Sequence, residues 1–244
     1  MKVWPVLKWM FFITLAIAIA VGVGGVWLWK SSDRLIREQA FRTFDKAAPD
    51  LELQIDGIQL SSTSSLRLTG IEIRDRAANR PILRAKEALA TVDETELMER
   101  QNVIVRSIKI SGVEILLKRS EDGRWNWQDY AFHPISDNPL IPPSVILENV
   151  RVQIQLEHGT GIPPASLIVT SPLFQAVPKS SEAYDFSGSL ALPGAENLAL
   201  NGTCNLTTKE WNLRGQVAGV EADQSLMNLA KSTAPQLADR KSVV

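Results

Sequence analysis

The sequence predicts a mainly β fold, in which an N-terminal transmembrane helix is followed by a long, curved, antiparallel β-sheet with a groove-like face and few short helices. Three observations lead to this prediction. An uncharged apolar run lies near the N-terminus, apolar and polar residues alternate from Leu51 almost to residue 219, and the alternation slips by one residue at repeated Gly or Asn positions. The predicted segments are an anchor (1–30), a connector helix (31–48), a first β-sheet segment (49–137), a second β-sheet segment (138–220), and a short helix with a tail (221–244).

The predicted membrane anchor is the run from Trp9 to Trp29, which contains no charged residue. As a helix it spans about 30 Å, the thickness of a bilayer hydrocarbon core, and tryptophans at both ends suit the headgroup region. A cleaved signal peptide is the alternative, with a cleavage site near Ala20, but the apolar run continues well past that residue. The residues predicted to form the anchor are Trp9, Phe12, Leu15, Ile19, Trp27 and Trp29.

The orientation of the anchor is predicted in two opposite ways. Two lysines precede the span, whereas several basic residues follow it, so the positive-inside rule places the large domain in the cytoplasm. The basic residues after the span are Lys30, Arg34, Arg37, Arg42 and Lys46. The family resemblance described below favours the other side of the membrane.

Composition excludes several classes of function. The part of the chain after residue 29 has a small excess of acidic residues, which argues against a nucleic-acid partner. Cys204 is the single cysteine of the sequence and the two histidines are far apart, so neither a disulfide nor a zinc site is expected. No nucleophile elbow, phosphate-binding loop or metalloprotease motif is present. We therefore expect no catalytic residues, no cofactor and no metal, and a protein that is not an enzyme.

The slip in the alternation is a repeated feature. It occurs within 51–60, 66–73, 108–115 and 145–152, and a partial fifth copy covers 198–202. We interpret each slip as a β-bulge or sharp bend at a residue that accepts a positive φ, which keeps the apolar residues on one face of a long strand. The predicted bulge residues are Gly57, Gly70, Gly112 and Asn149.

A turn after one of these strands carries a family resemblance. The strand 108–115 is followed by Asp122-Gly123-Arg124-Trp125-Asn126, in which Asp-Gly is a turn dipeptide. Together with the anchor and the β-rich body, this segment resembles the AsmA-like family of bacterial envelope proteins, part of a wider group of TamB-like and chorein-like lipid-transport proteins. Residues 186–213 also resemble later sheet segments of that family. Alternatively, Trp125 fills the end of a sheet without a family relationship.

The resemblance implies a membrane-anchored envelope protein that binds or guides lipids along an apolar sheet groove and contributes to outer-membrane assembly. It places the chain in the inner membrane with its large domain in the periplasm. Membrane lipids, and other envelope proteins, are the implied partners. The predicted groove lining is Leu53, Ile55, Ile58, Leu66, Leu68, Ile71, Ile108, Ile110, Val113 and Val152. The alternative is a membrane-anchored structural or adhesion-type β-sandwich that binds no lipid, because a second sheet covers an apolar face as well as acyl chains do.

Overall fold

The computed structural model describes residues 41–220 apart from 43, 63, 101–103, 131–141, 158–164, 181–182, 194, 206–207 and 209. The predicted anchor, most of the connector helix and the C-terminal helix therefore lie outside the described residues. Among the residues that are described, no helix has the length and apolar character needed to cross a membrane.

The described chain consists of ten strands and short helical segments. Residues 41–42 and 44–47 lie in a helix, α1, and a second helix, α2, spans Glu94–Arg100. Asp93 caps α2, since its Oδ1 accepts a hydrogen bond from the Glu96 N–H at 3.1 Å. A 3₁₀ turn covers Asn126–Asp129. The strands are β1 (Leu51–Ser62), β2 (Ser65–Asp75), β3 (Arg80–Val92), β4 (Val105–Ser111), β5 (Glu114–Arg119), β6 (Ser144–Leu156), β7 (Ala165–Pro178), β8 (Ala183–Leu192), β9 (Ala195–Asn205) and β10 (Trp211–Val220).

All ten strands belong to one sheet, so the two predicted β-sheet segments are parts of the same layer. The order is β1-β2-β3-β4-β6-β7-β8-β9-β10, and β5 continues the line of β4 between β3 and β6. The mainly β prediction is confirmed, but the sheet is mixed and not purely antiparallel: β6 runs parallel to β4 and β5. A parallel neighbour requires the chain to return along the full strand length, and residues 120–143 form this connection.

One face of the sheet, here called the inner face, carries the core. Alternating residues of β1–β7 point to it and are buried, for example Ile73 and Ile108, which have no exposed surface. The opposite, outer face carries ion pairs between neighbouring strands, such as Arg67–Glu87 and Lys109–Glu148. The alternation in the sequence therefore corresponds to one apolar side and one solvated side.

The slips lie in one line across the sheet, here called the crease. We count β4 and β5 together as one strand line, because they are end to end. In each strand line from β1 to β7, two successive residues at the crease point to the outer face, and the residues directly before and after them are buried. Along the crease, one residue of each strand is the register partner of the next, and from β1 to β7 these residues are Gly57, Thr69, Glu87, Ser111, Glu148 and Leu173. The residue pairs of the crease are Asp56–Gly57, Thr69–Gly70, Lys86–Glu87, Ser111–Gly112, Glu148–Asn149 and Pro172–Leu173.

Backbone conformation and space explain the residue types at the crease. Gly70, Gly112 and Asn149 have φ values of +60°, +63° and +52°, a region that glycine and asparagine adopt most easily. A Cβ on Gly112 would come within 2.7 Å of the Lys86 side chain, and a Cβ on Gly70 would meet the Asp56 carboxyl group. Glycine thus allows the left-handed conformation and leaves room for the side chain of the neighbouring strand.

The crease contains no β-bulge, which is one of the two structures predicted at these positions. Gly57 is not among the residues with positive φ, and the pairing register between β1 and β2 is unchanged from Leu51 to Leu60. No extra residue is left unpaired at this line, because neighbouring strands slip at the same level. The slips end at β7: the register shifts between Thr170 and Phe174 where β7 pairs with β8.

The strands beyond β7 alternate without a crease. The partial fifth pattern at 198–202 is not a slip. Leu200, Gly202 and Cys204 follow one another at every second position and all lie on the inner face, where Leu200 and Cys204 are buried. The missing side chain at Gly202 instead leaves room for the ring of Phe186. The sheet therefore has a creased part, β1–β7, and an uncreased part, β8–β10.

We expect Gly112→Ala to lower the free energy of unfolding by about 1–3 kcal/mol, because alanine is strained at positive φ and its Cβ would contact Lys86. Urea denaturation of the full chain measures this. Asn149→Gly is the matched control, since glycine accepts the same φ, and we expect it to change stability by less than about 1 kcal/mol. Equal losses for the two variants would contradict the conformational requirement.

Candidate functional site

The predicted groove residues all lie on the inner face, and all are buried. Leu53, the most exposed of the ten, has 7% of its surface accessible. They belong to one continuous core that extends from β1 to β9. In this conformation the inner face of β1–β6 is thus buried by protein, and Leu53 and Ile55 of β1 also line the cavity described below. The ten residues, all buried, are Leu53, Ile55, Ile58, Leu66, Leu68, Ile71, Ile108, Ile110, Val113 and Val152.

Segments outside the sheet contribute to this core at one end. Phe44 and Ala48 at the end of α1 are buried in it, and Trp125 and Tyr130 from the β5–β6 connection pack against it. This end, here called the helix end, is where β1 begins and where β2 and β5 finish.

The Asp-Gly-Arg-Trp-Asn segment forms a tight turn at the helix end. Asp122 accepts hydrogen bonds from the Ser120 hydroxyl and from the Arg124 N–H, and these lower the pKa of its carboxyl group. Gly123 has a φ of +82°, and Trp125 forms a β-bridge with Arg119, whose guanidinium lies 5.9 Å from the indole centroid. The turn thereby places Trp125 at the end of the core.

Asn126 of the same segment completes the hydrogen bonding of β5. Its Oδ1 accepts from the Lys118 N–H at 3.1 Å, and its Nδ2 donates to the Leu116 carbonyl at 3.2 Å. Residues 116–119 of β5 have no register partner in β3, because the last pair between the two strands is Leu83 opposite Ile115. Pro81 of β3 also has no N–H to donate. The amide side chain therefore takes the place of a neighbouring strand.

Tyr130 ties this connection to the β2–β3 turn. Its hydroxyl donates to Asp75 Oδ2 at 2.8 Å, while Asp75 Oδ1 accepts from the Ala78 N–H at 2.8 Å. Burial acts to raise the pKa of the Asp75 carboxyl, but the hydrogen bonds from Ala78 and Tyr130 and the nearby Arg80 charge outweigh it, so the pKa lies below its usual value. Burial and the Asp75 contact raise the pKa of Tyr130. Asp75 is thus a buried, charged carboxylate held by its donors.

The inner face becomes accessible where the crease ends. Phe174 of β7 and Phe186 of β8 stack with their ring centroids 6.1 Å apart, and they cover Gly188 and Gly202 of the next strands. Beyond them Leu190 and Leu198 are only partly buried. On β10, Leu213 is 41% and Val217 48% exposed. We call the apolar surface formed by Leu190, Leu198, Leu213 and Val217 the open inner face.

Two further features do not belong to the open inner face. A cavity of about 580 Å³ runs along β1 beside α1, lined by Phe41, Asp45, Arg76 and residues 52–55. The Cys204 thiol is buried, which raises its pKa. Within the described ranges, no group of three or more His, Cys, Asp or Glu side chains is arranged to hold a metal ion.

Sequence reasoning did not identify the open inner face. The sequence contains a pattern for this face, because Leu213, Gly215 and Val217 alternate with polar residues in β10. Alternation predicts which face of the sheet a residue lies on, but it does not predict whether other parts of the protein bury that face. The predicted anchor residues, Trp9, Phe12, Leu15, Ile19, Trp27 and Trp29, lie outside the described residues.

Comparison of the chain with known protein families and with curated proteins gives no match. The resemblance to AsmA-like proteins therefore stays a prediction from the sequence.

We expect Tyr130→Phe to lower the free energy of unfolding by about 1.5–3 kcal/mol near neutral pH, because it removes a hydrogen bond to a charged group. Since the folded pKa of Asp75 is depressed, its contribution to stability is present above the unfolded pKa of about 3.9 and is lost as pH falls through the folded pKa. Without Tyr130 the folded pKa rises, so acid destabilisation begins at higher pH.

The matched control for this prediction is Tyr184→Phe, which removes a hydrogen bond from a buried tyrosine to the Pro143 carbonyl. This variant loses stability without a change in its acid dependence, because no carboxylate is involved. Urea denaturation between pH 3 and 7 distinguishes the two. Parallel pH curves for Tyr130→Phe and the unaltered chain would exclude the Asp75 link.

Proposed function

We propose that this protein is a membrane-anchored, non-enzymatic envelope protein that binds acyl chains of membrane lipids against the open inner face of β8–β10. The observation that carries the proposal is the change along one continuous apolar face, from fully buried in β1–β6 to exposed at Leu213 and Val217 in β10. An exposed apolar surface costs about 25 cal/mol per Å² in water. Acyl chains would remove that cost.

The chemistry of the surface favours binding of lipid tails over recognition of headgroups. Arg214 is the single charged residue of β10, and it alternates with Leu213, so it belongs to the outer face. The side chains of the open inner face are leucine and valine. We therefore expect affinity to depend on apolar area, with little selectivity among phospholipid headgroups.

The proposed location is the inner membrane, with the sheet in the periplasm. The apolar run 9–29 and the resemblance to AsmA-like proteins support it, whereas the basic residues after the run favour a cytoplasmic sheet. Other envelope proteins are the proposed macromolecular partners, and they would receive or deliver the lipid.

A structural domain without lipid is the second candidate, and a specific observation favours it. All ten residues that the sequence assigns to a groove are buried in the core, as in a domain whose apolar face is closed by protein. In that case Leu213 and Val217 are ordinary exposed edge residues.

Val217→Asp distinguishes the two candidates. Val217 is 48% exposed, so an aspartate there remains solvated and the fold is retained, but a charge on the open inner face opposes acyl binding. We expect the full chain, purified in detergent and examined by native mass spectrometry, to carry phospholipid, and the variant to lose most of it.

Val177→Asp is the matched control, because Val177 is equally exposed, at 48%, but lies beside the buried Ala176 and so points to the outer face of β7. This control should keep its lipid. A lipid-free unaltered chain, or equal loss in both variants, would leave the structural domain as the better account. Ile110→Asp is unsuitable as a test, because a carboxylate at a fully buried position unfolds the core.

The proposed topology has its own test. We expect alkaline phosphatase fused after Val244 to be active in a bacterial host, since that enzyme needs an exported environment for its disulfides. Activity of a cytoplasm-restricted reporter at the same position would overturn the periplasmic assignment without affecting the lipid prediction.

A further inference from the structure

The two end strands of the sheet have complementary properties. β1 and β10 terminate the strand order, and among the described residues no strand pairs with their outer edges. From β1 to β10 the pairings are antiparallel except for the parallel neighbours β4–β5 and β6, so β1 and β10 run in opposite directions. Two copies in the same orientation, placed side by side, would therefore meet as an antiparallel pair.

β10 lacks the features that normally prevent edge pairing. Natural edge strands are protected by lysine, proline, bulges or inward-pointing charges. β10 contains no lysine and no proline, its register with β9 is regular over Trp211–Ala218, and residues 212–218 are exposed. It also exposes Leu213 and Val217, which are apolar. An unprotected apolar edge of this kind is suited to a partner strand.

The charges of the two strands match. Arg214 is the single charged residue of β10, whereas the charges of β1 are Glu52 and Asp56. All three alternate with inner-face residues, so all three belong to the outer face. The cavity of about 580 Å³ along β1 leaves space at residues 52–55, and its wall contains the ion pair between Arg76 and Asp45.

We propose that β10 of one copy pairs with β1 of a second copy, so that the chain assembles head to tail into an extended sheet. The pairing that fits both faces puts Leu213 opposite Ile55 and Gly215 opposite Leu53. It ends before Leu51, because the Leu51 N–H donates to the Ala48 carbonyl and the Leu51 carbonyl accepts from Arg76. Arg214 then lies opposite Gln54.

In this register the basic and acidic residues come together. Arg214 has Glu52 and Asp56 as diagonal neighbours on the outer face, at about 7–8 Å between Cα atoms, which an arginine side chain can reach. The polar pair Gln216–Glu52 lies on the same face. Because the contact is heterologous and does not close, the product is an open array. All copies keep their helix ends on the same side, and the inner face continues from one copy to the next.

Disulfide trapping tests the proposal. In the full chain with Cys204→Ser, Gln54→Cys and Arg214→Cys in one molecule place two thiols opposite each other only across the proposed contact. After oxidation in membranes we expect a ladder of dimers, trimers and larger species on a non-reducing gel. Either cysteine alone should give monomer, and a one-to-one mixture of the two single variants should stop at dimer.

The controls separate this contact from other associations. Gln54→Cys with Arg151→Cys pairs the same β1 position with an exposed outer-face residue of β6, far from either edge, and should give no ladder. A dimer from Arg214→Cys alone would indicate pairing of two β10 strands and overturn the proposal, as would the absence of a ladder or an equal ladder in the control.

Charge reversal gives a second measurement that needs no cysteine. We expect Arg214→Glu to weaken self-association about tenfold in mass photometry of the detergent-solubilised chain, and Glu52→Arg added to it to restore most of the loss. Equal association of all three proteins would contradict the register. Self-association is measured here independently of bound lipid. A chain that binds lipid but stays monomeric would therefore overturn only the head-to-tail pairing, and a chain that assembles without lipid would overturn only the lipid proposal.

Discussion

The rest of the structure depends on a single constraint, which is that neighbouring strands in a hydrogen-bonded sheet must change face at the same level. If the apolar pattern slipped in one strand alone, regular pairing with its unslipped neighbour would turn the apolar residues after the slip to the outer face. The apolar residues of the neighbouring strand would stay on the inner face. The row from Gly57 to Leu173 meets this constraint in every strand line from β1 to β7. Gly70, Gly112 and Asn149 supply the left-handed conformation at three of the six residue pairs of the crease, and glycine leaves room for the side chains of Asp56 and Lys86.

The end of the crease determines where a ligand could bind. In the creased strands, the apolar residues on both sides of the crease lie on the inner face, and residues of α1 and of the Trp125–Tyr130 segment pack against that face at one end. Strands β8–β10 have no crease, and their apolar residues become progressively more exposed toward β10. The lipid proposal and the head-to-tail assembly both start from this boundary: one uses the open inner face and the other uses the edge beside it.

Much of the sheet is predictable from the sequence, and the limits of that prediction have physical causes. The slips at Gly70, Gly112 and Asn149 are visible because those residue types are needed at positive φ. The slips at Lys86–Glu87 and Pro172–Leu173 are not visible, since ordinary residues follow the bend that their neighbours impose. The parallel position of β6 is not visible in the sequence, because no local pattern between β5 and β6 encodes the direction in which β6 runs. Burial of the predicted groove residues depends on which protein segments pack against the inner face, and the alternation of apolar and polar residues does not predict that packing. For the same reason the open inner face, although its alternation is plain in β10, is identified only from the structure.

The most direct test of this account is the accessibility of inner-face positions in the native protein. Single cysteines at Leu68, Ile110, Leu213 and Val217, each in the full chain with Cys204→Ser, would be labelled with a water-soluble maleimide before and after addition of denaturant. We expect the cysteines on β10 to react at once in the native protein after its lipid has been removed, and those at Leu68 and Ile110 to react only after unfolding. Equally fast native labelling at Ile110 and Val217 would mean that the inner face is open throughout, and it would contradict the division of the sheet into a closed, creased part and an open, uncreased one.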